Sequence, residues 1–229
     1  ADALLSPPVG GALWIVAGGC VAWSARRVRQ QTDEHVLPLM GVLGAFTFAA
    51  QMINFSIPGT GSSGHIGGGI LLASLLGPHA ALLVLSAVLA VQALLFADGG
   101  LLALGSNIVN LGVVPCLLVY PLVLRPLLDR QPRPAPRDAA IVLAAILGLQ
   151  LGAAGVVLQT RLSGISSLPL GHFAALMLPI HLAIGLVEGL ATVAVLTFLR
   201  RAEPGLLPPT GPAQVRPGAL RRVLTGGLV

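Results

Sequence analysis

Long apolar runs separated by short polar breaks fill almost the whole chain. Residues 9–25, 36–55, 78–97, 101–124, 138–159 and 172–199 each hold at least 17 residues with few charges. That length lets a helix cross a hydrocarbon layer about 30 Å thick. A seventh apolar stretch, 66–76, is too short for a perpendicular crossing. Pro78 suits the first turn of the helix it opens, and Pro115 predicts a kink. Asp138 is placed to cap the helix that follows it, and 160–171 reads as a loop. The pattern predicts an all-α, polytopic transmembrane helical bundle of about seven spans. Residues 1–200 form its membrane domain, and residues 201–229 a cytoplasmic polar tail that turns apolar at its end.

The breaks decide orientation. All 13 basic residues are arginine, and 12 of them fall at 26–35, 125–137 and 200–222. Only Arg161 lies in a break of the opposite set. Positive charge collects on the cytoplasmic side, so the N-terminus is expected outside. The bias holds only if 66–76 carries the chain across. Trp14 and Trp23 stand near the two ends of the first span, as interface anchors do.

Composition agrees and excludes alternatives. The chain is 55% hydrophobic and 9% charged, with mean hydropathy +0.90, against about 25% charged for a soluble domain. With 4% aromatic residues there is no stacking surface for bases, so no nucleic-acid partner is expected; the partner in view is the lipid bilayer. Cys20 and Cys116 sit inside spans without a CxxC companion, which points to packing. There is no GxxxxGK[ST] phosphate loop, HExxH, or GxSxG with partners. The chain is not expected to be an enzyme or to hydrolyse ATP itself.

One polar stretch interrupts the hydrocarbon, from Gln51 through Ser56-Ile57-Pro58-Gly59-Thr60-Gly61-Ser62-Ser63-Gly64-His65 to Gly67-Gly68-Gly69. Pro58 and the glycines forbid a continuous helix. Irregular backbone at membrane depth survives only where protein or water satisfies it. The imidazole of His65 is open either to a metal ion or to a plain helix-capping role. Gln51, Asn54 and Ser63 flank it, and Asn107 and Asn110, at i,i+3, are candidate support for the loop. His181 and Glu188 share a helix face. Intramembrane ionisable groups turn inward, to form a proton or ion path or to lock helices together. Gly185 and Gly189 beside them favour close packing. Gln92 and Gln150 read as interhelical glue, His35 and His79 as solvated, and His172 as an interface residue.

Several motifs in order resemble one family. These are Ala3-Leu4-Leu5-Ser6-Pro7, Gln51-Met52-Ile53-Asn54-Phe55, Ile57-Pro58-Gly59-Thr60, Ser63-Gly64-His65, Asp98-Gly99-Gly100-Leu101, Asn107, Asn110-Leu111-Gly112 and His181-Leu182-Ala183-Ile184-Gly185 with Glu188-Gly189. Together they are similar to the CbiM/NikM substrate-binding S-components of energy-coupling-factor transporters. The resemblance implies capture of Co²⁺ or Ni²⁺ from outside, with His65 as a metal ligand. It implies a transmembrane coupling subunit, ATP-binding subunits and a small membrane helper as partners. It places the protein in a bacterial or archaeal cytoplasmic (inner) membrane. In the family the remaining ligands come from an N-terminal Met-His. This chain opens Ala1-Asp2-Ala3, so residues are expected to precede it, and its apolar ending suggests that it continues beyond Val229. Gly41, Ala45 and Ala49 are candidates for contact with the coupling subunit. A proton- or ion-coupled carrier using His181 and Glu188 is the alternative reading, and a two-histidine haem subunit a third.

Overall fold

A computed structural model describes residues 4–31, 36–60, 62–130 and 133–202. Among them are seven helices: α1 (Pro7–Gln31), α2 (Val36–Gln51), α3 (Gly69–Leu76), α4 (Pro78–Leu95), α5 (Leu101–Arg130), α6 (Pro134–Ser163) and α7 (Leu170–Ala202). Five of them, α1 and α4 to α7, are long and apolar enough to cross a membrane. Helix α2 has 16 residues and α3 only 8. The all-α expectation holds apart from one hairpin.

That hairpin is built from the polar stretch. Strands β1 (Asn54–Ile57) and β2 (Ser62–His65) pair antiparallel, with Asn54 opposite His65 and Ile57 opposite Ser62. The run expected to be helical over 36–55 therefore stops at Gln51. Pro58 and Gly59 occupy the centre of the turn, Gly59 at φ 73°, and the Thr60 N–H reaches the Ile57 carbonyl at 3.3 Å. Proline then a positive-φ residue is type II turn chemistry. The Thr60 hydroxyl also donates to that carbonyl (2.8 Å) and accepts from the Ser62 N–H (3.1 Å).

After His65 the chain runs without regular structure to Gly68, then enters α3. Eight helical residues rise about 12 Å, so extended residues supply the rest of the passage. The hairpin end is marked by Asn54 against Asp98 in the α4–α5 turn. At the other end His79, just past α3, meets Ser24 and stacks edge-on against Trp23 of α1. Residues 66–76 thus carry the chain from one end of the bundle to the other. His79 is not simply solvated: its ring is packed between these two partners. His35 lies outside the described residues.

Helix α5 is regular to Asn107, then widens to π-type bonding from Ile108 to Leu124. Pro115 and Pro121 fall in that section and each removes a backbone donor; the expected local kink is spread over a wide helix. Helices α6 and α7 approach closely. A Cβ on Gly185 would lie 2.8 Å from Ile146 Cα, and one on Gly189 2.7 Å from Val142 Cα. This is the small-residue packing anticipated there.

Two boundaries differ from expectation. Helix α6 begins at Pro134, with Arg133 at the cap position, so Asp138 is inside it and lies 3.9 Å from Arg200 of α7. Helix α6 also runs on to Ser163, taking up the start of the expected 160–171 loop. Cys116 is buried, its thiol 3.6 Å from the Gly69 carbonyl, and Cys20 is half-buried. Gly41, Ala45 and Ala49 line up on α2 and face outward. Residues 203–229, most of the expected tail, lie outside the described residues.

Candidate functional site

The hairpin forms one wall of a cavity of about 450 Å³. Ser63 and His65 reach it from β2, Asp98 and Gly99 from the α4–α5 turn, Asn107 and Asn110 from α5, Gly152 from α6, and Met177 and His181 from α7. Sequence motifs spread over more than a hundred residues, from Ile57 to His181, thus meet around one space. The amino-terminal segment also reaches this wall. Leu4 is buried in an apolar cluster with Ile57, Phe173 and Met177, and Ile57 and Met177 both line the cavity.

Both imidazoles in the cavity have a fixed tautomer. His65 Nδ1 lies 2.9 Å from the Ile66 carbonyl, and His181 Nδ1 lies 2.8 Å from the Met177 carbonyl. A carbonyl only accepts, so each Nδ1 carries the proton. In the neutral ring the lone pair is then on Nε2, the form that binds a transition metal. His65 is half-buried, whereas His181 is only 8% exposed. Among the described residues no three His, Cys, Asp or Glu side chains converge as a metal cage. A cation at His65 therefore needs further donors, such as water or backbone groups. The resemblance draws them from an amino-terminal Met-His, which Ala1-Asp2-Ala3 does not supply; residues 1–3 lie outside the described residues.

Asn110 is held by a reciprocal amide pair. Its Nδ2 donates to Gln159 Oε1 (2.9 Å) and its Oδ1 accepts from Gln159 Nε2 (3.1 Å). Ser106 closes the group, donating to Gln159 Oε1 at 2.5 Å and accepting from Asn110 Nδ2 at 3.1 Å. Asn54 lies at the rim, its amide donating to Asp98 Oδ2 at 3.0 Å. Sequence reasoning missed Gln159 and treated Asp98 only as part of a turn. A glutamine one turn from Asn110's level on a facing helix gives no signal in hydropathy.

Behind the cavity lies a second polar chain. Glu188, 3% exposed, accepts the N–H groups of Gly67 (2.7 Å) and Gly68 (3.1 Å). Gln51 donates Nε2 to the Gly67 carbonyl at 2.7 Å and accepts Gln92 Nε2 on its own oxygen at 2.9 Å. Gln51 therefore acts on the arm behind His65 and does not line the cavity. Glu188 and His181 do share a face of α7, but they bind different backbone groups and do not pair. Gln92 and Gln150 bridge helices as expected, Gln150 through the Leu178 carbonyl at 2.9 Å. His172 is exposed and does not line the cavity.

Comparison with known proteins bears on this cavity. The family described as "Cobalt uptake substrate-specific transmembrane region" (CbiM) matches residues 1–206. A putative metal transport protein of Haloquadratum walsbyi is 34% identical over 90% of this chain and 91% of its own length. A putative fused nickel transport protein NikMN of Archaeoglobus fulgidus is 35% identical over 90% of this chain, which spans 66% of that longer protein. The cobalt transport protein CbiM of Sorangium cellulosum is 28% identical over 88% of this chain and 95% of its own. A crystal structure of a truncated transition metal transporter superposes with TM-score 0.79 at 28% identity, over 86% of this chain and 96% of that one.

Proposed function

The chain belongs to the CbiM family of cobalt-uptake transmembrane proteins, and on that premise we propose that it is a substrate-binding S-component delivering Co²⁺ or Ni²⁺ to an energy-coupling-factor transporter. The observation that carries the reading is His65. Its Nδ1 is committed to a backbone carbonyl, its Nε2 has no hydrogen-bond partner among the described residues, and its ring lines a cavity at the hairpin end of a membrane bundle. Imidazole nitrogen suits both Co²⁺ and Ni²⁺. Ser63, Asn107 and Asn110 line the same space, and Asn54 ties the hairpin to the α4–α5 turn through Asp98.

In this reading the cation enters from outside, at the end opposite most of the arginines, and Asp98 at the rim attracts it. The hairpin and the α4–α5 turn hold it, and the partners supply the energy: a transmembrane coupling subunit, two ATP-binding subunits and a small membrane helper. The outward row of Gly41, Ala45 and Ala49 is where close helix contact with the coupling subunit costs least, since small residues let backbones approach. The membrane is the cytoplasmic one of a bacterium or archaeon. The carrier alternative draws less support, because the Glu188 carboxylate is already engaged by two N–H groups.

The test is calorimetric titration of the purified full chain with CoCl₂ and NiCl₂. His65→Ala should lower affinity at least tenfold, a loss of about 1.4 kcal/mol. Affinity equal to the parent's in His65→Ala overturns the assignment.

A further inference from the structure

The segment that carries His65 crosses the bundle as an arm, not as a helix. From His65 to Gly68 no helical ladder satisfies the backbone, and the residues of α3 that follow are almost all buried. Unpaired peptide groups there carry a heavy penalty. The structure meets it with side chains from three other helices. Glu188 of α7 takes the two N–H groups of Gly67 and Gly68 in one carboxylate. Gln51 of α2 takes the Gly67 carbonyl, and Gln92 of α4 fixes Gln51.

The glycines fit this arrangement tightly. A Cβ on Gly67 would lie 3.3 Å from Glu188 Oε2 and 3.3 Å from Leu149 Cδ2. Gly68 stands at φ 76°, where a Cβ would meet Thr47 Cγ2 at 2.9 Å. Glu188 also sits at the start of α3, where the helix dipole favours a negative charge. One carboxylate thus holds the start of a broken crossing, two residues beyond the imidazole.

We infer that Glu188 is a positioning residue for cation binding at His65: it clamps the Gly67–Gly68 peptides and thereby sets where the imidazole stands in the cavity. The inference rests on the reading of His65 as ligand given above. It gives the buried carboxylate a static, backbone-directed job in place of a proton- or ion-carrying one. Because Gly67 N–H and carbonyl are both held, the arm has one register, and His65 reaches the cavity already oriented.

Glutamine at position 188 keeps the shape but not the chemistry. Its amide has one acceptor oxygen for two N–H donors, and its NH₂ would face the second donor. Removing a group that orients a metal ligand typically costs roughly 10–100-fold in affinity.

The experiment measures Co²⁺ affinity of the purified full chain in detergent by titration with CoCl₂, beside thermal unfolding of each apo variant. Glu188→Gln is expected to weaken Co²⁺ at least tenfold. Gly67→Ala, which presses on the same carboxylate from the other side, should weaken it similarly, and the double variant should lose little more than either. Gln150→Ala is the control: it removes a half-buried α6–α7 hydrogen bond to the Leu178 carbonyl without touching the arm. It should lower the unfolding temperature and leave Co²⁺ affinity within twofold.

Four outcomes overturn the inference. Co²⁺ binding by Glu188→Gln within twofold of the parent, with none by His65→Ala, leaves the ligand reading standing and removes the clamp. Gln150→Ala losing as much affinity as Glu188→Gln reduces the effect to general destabilisation. Additive losses in the double variant separate Glu188 from the arm. Parent-like binding by His65→Ala removes the ligand reading and this inference with it.

Discussion

Replacing Gln51 with leucine tests the polar chain behind the cavity with a sign as well as a size. Gln51 makes two buried bonds, to the Gly67 carbonyl and from Gln92 Nε2. Leucine fills similar space and leaves two orphans, the Gly67 carbonyl and the Gln92 amide. Gln92→Leu leaves one orphan, the Gln51 oxygen. The double variant also leaves one, the Gly67 carbonyl. In a water-soluble core each orphan costs about 1–3 kcal/mol. Within a membrane bundle a polar contact averages about 0.6 kcal/mol, because the unfolded chain also finds partners there. With that smaller figure Gln51→Leu costs about 1.2 kcal/mol, Gln92→Leu about 0.6, and the double about 0.6. Adding Gln92→Leu should therefore partly restore the stability lost in Gln51→Leu. Unfolding equilibria in mixed micelles, run as a double-mutant cycle, read a coupling of about 1.2 kcal/mol. A double variant whose loss equals the sum of the two singles would falsify the chain of bonds.

Gly189→Ala forces α6 and α7 apart at Val142 and should lower stability by about 1–3 kcal/mol; Gly19→Ala, with open space around it, should not, and the same micelle unfolding compares them. Gln159→Leu strips Asn110 of its reciprocal partner and should cost about 1 kcal/mol in that assay. Bound Co²⁺ should leave the parent chain on dialysis against EDTA and return with added CoCl₂, since an imidazole nitrogen holds the cation reversibly; a His65→Ala variant that rebinds as much Co²⁺ contradicts imidazole ligation.

Much of this architecture was legible because lipid simplifies the code. Each long apolar run became a helix, and Gly185 with Gly189 marked the tight α6–α7 crossing from spacing alone. Pro58-Gly59 announced the turn, but not the strands beside it: Ser62-Ser63-Gly64-His65 has neither alternation nor β-branched residues to predict pairing. The wide section of α5 was invisible, since hydropathy does not distinguish i→i−4 from i→i−5 bonding. His65, Ser63, Asn107 and Asn110 line one cavity. Glu188 was matched by helical spacing with His181, yet its partners are backbone groups 120 and 121 residues away. Spacing within a helix cannot report a bond to a remote glycine peptide. Gln159 was missed for the same reason.

With His65 as the proposed ligand, the broken crossing would tie cation affinity to fold stability. A continuous helix satisfies its own peptides and owes nothing to its neighbours, so its side chains can shift with little consequence. The arm from His65 to Gly68 has no such independence: Glu188, Gln51 and Gln92 satisfy it only when α2, α4 and α7 are assembled around it. Placement of the imidazole then depends on the docking of α2, α4 and α7. A cation that binds only the assembled form must stabilise it, by about 2.7 kcal/mol at a free concentration one hundred times Kd. Conversely, every bond that holds the arm contributes to affinity without touching the cation. Selection for metal capture would thus act on buried glutamines and a buried glutamate inside the bundle, where polar side chains are otherwise costly.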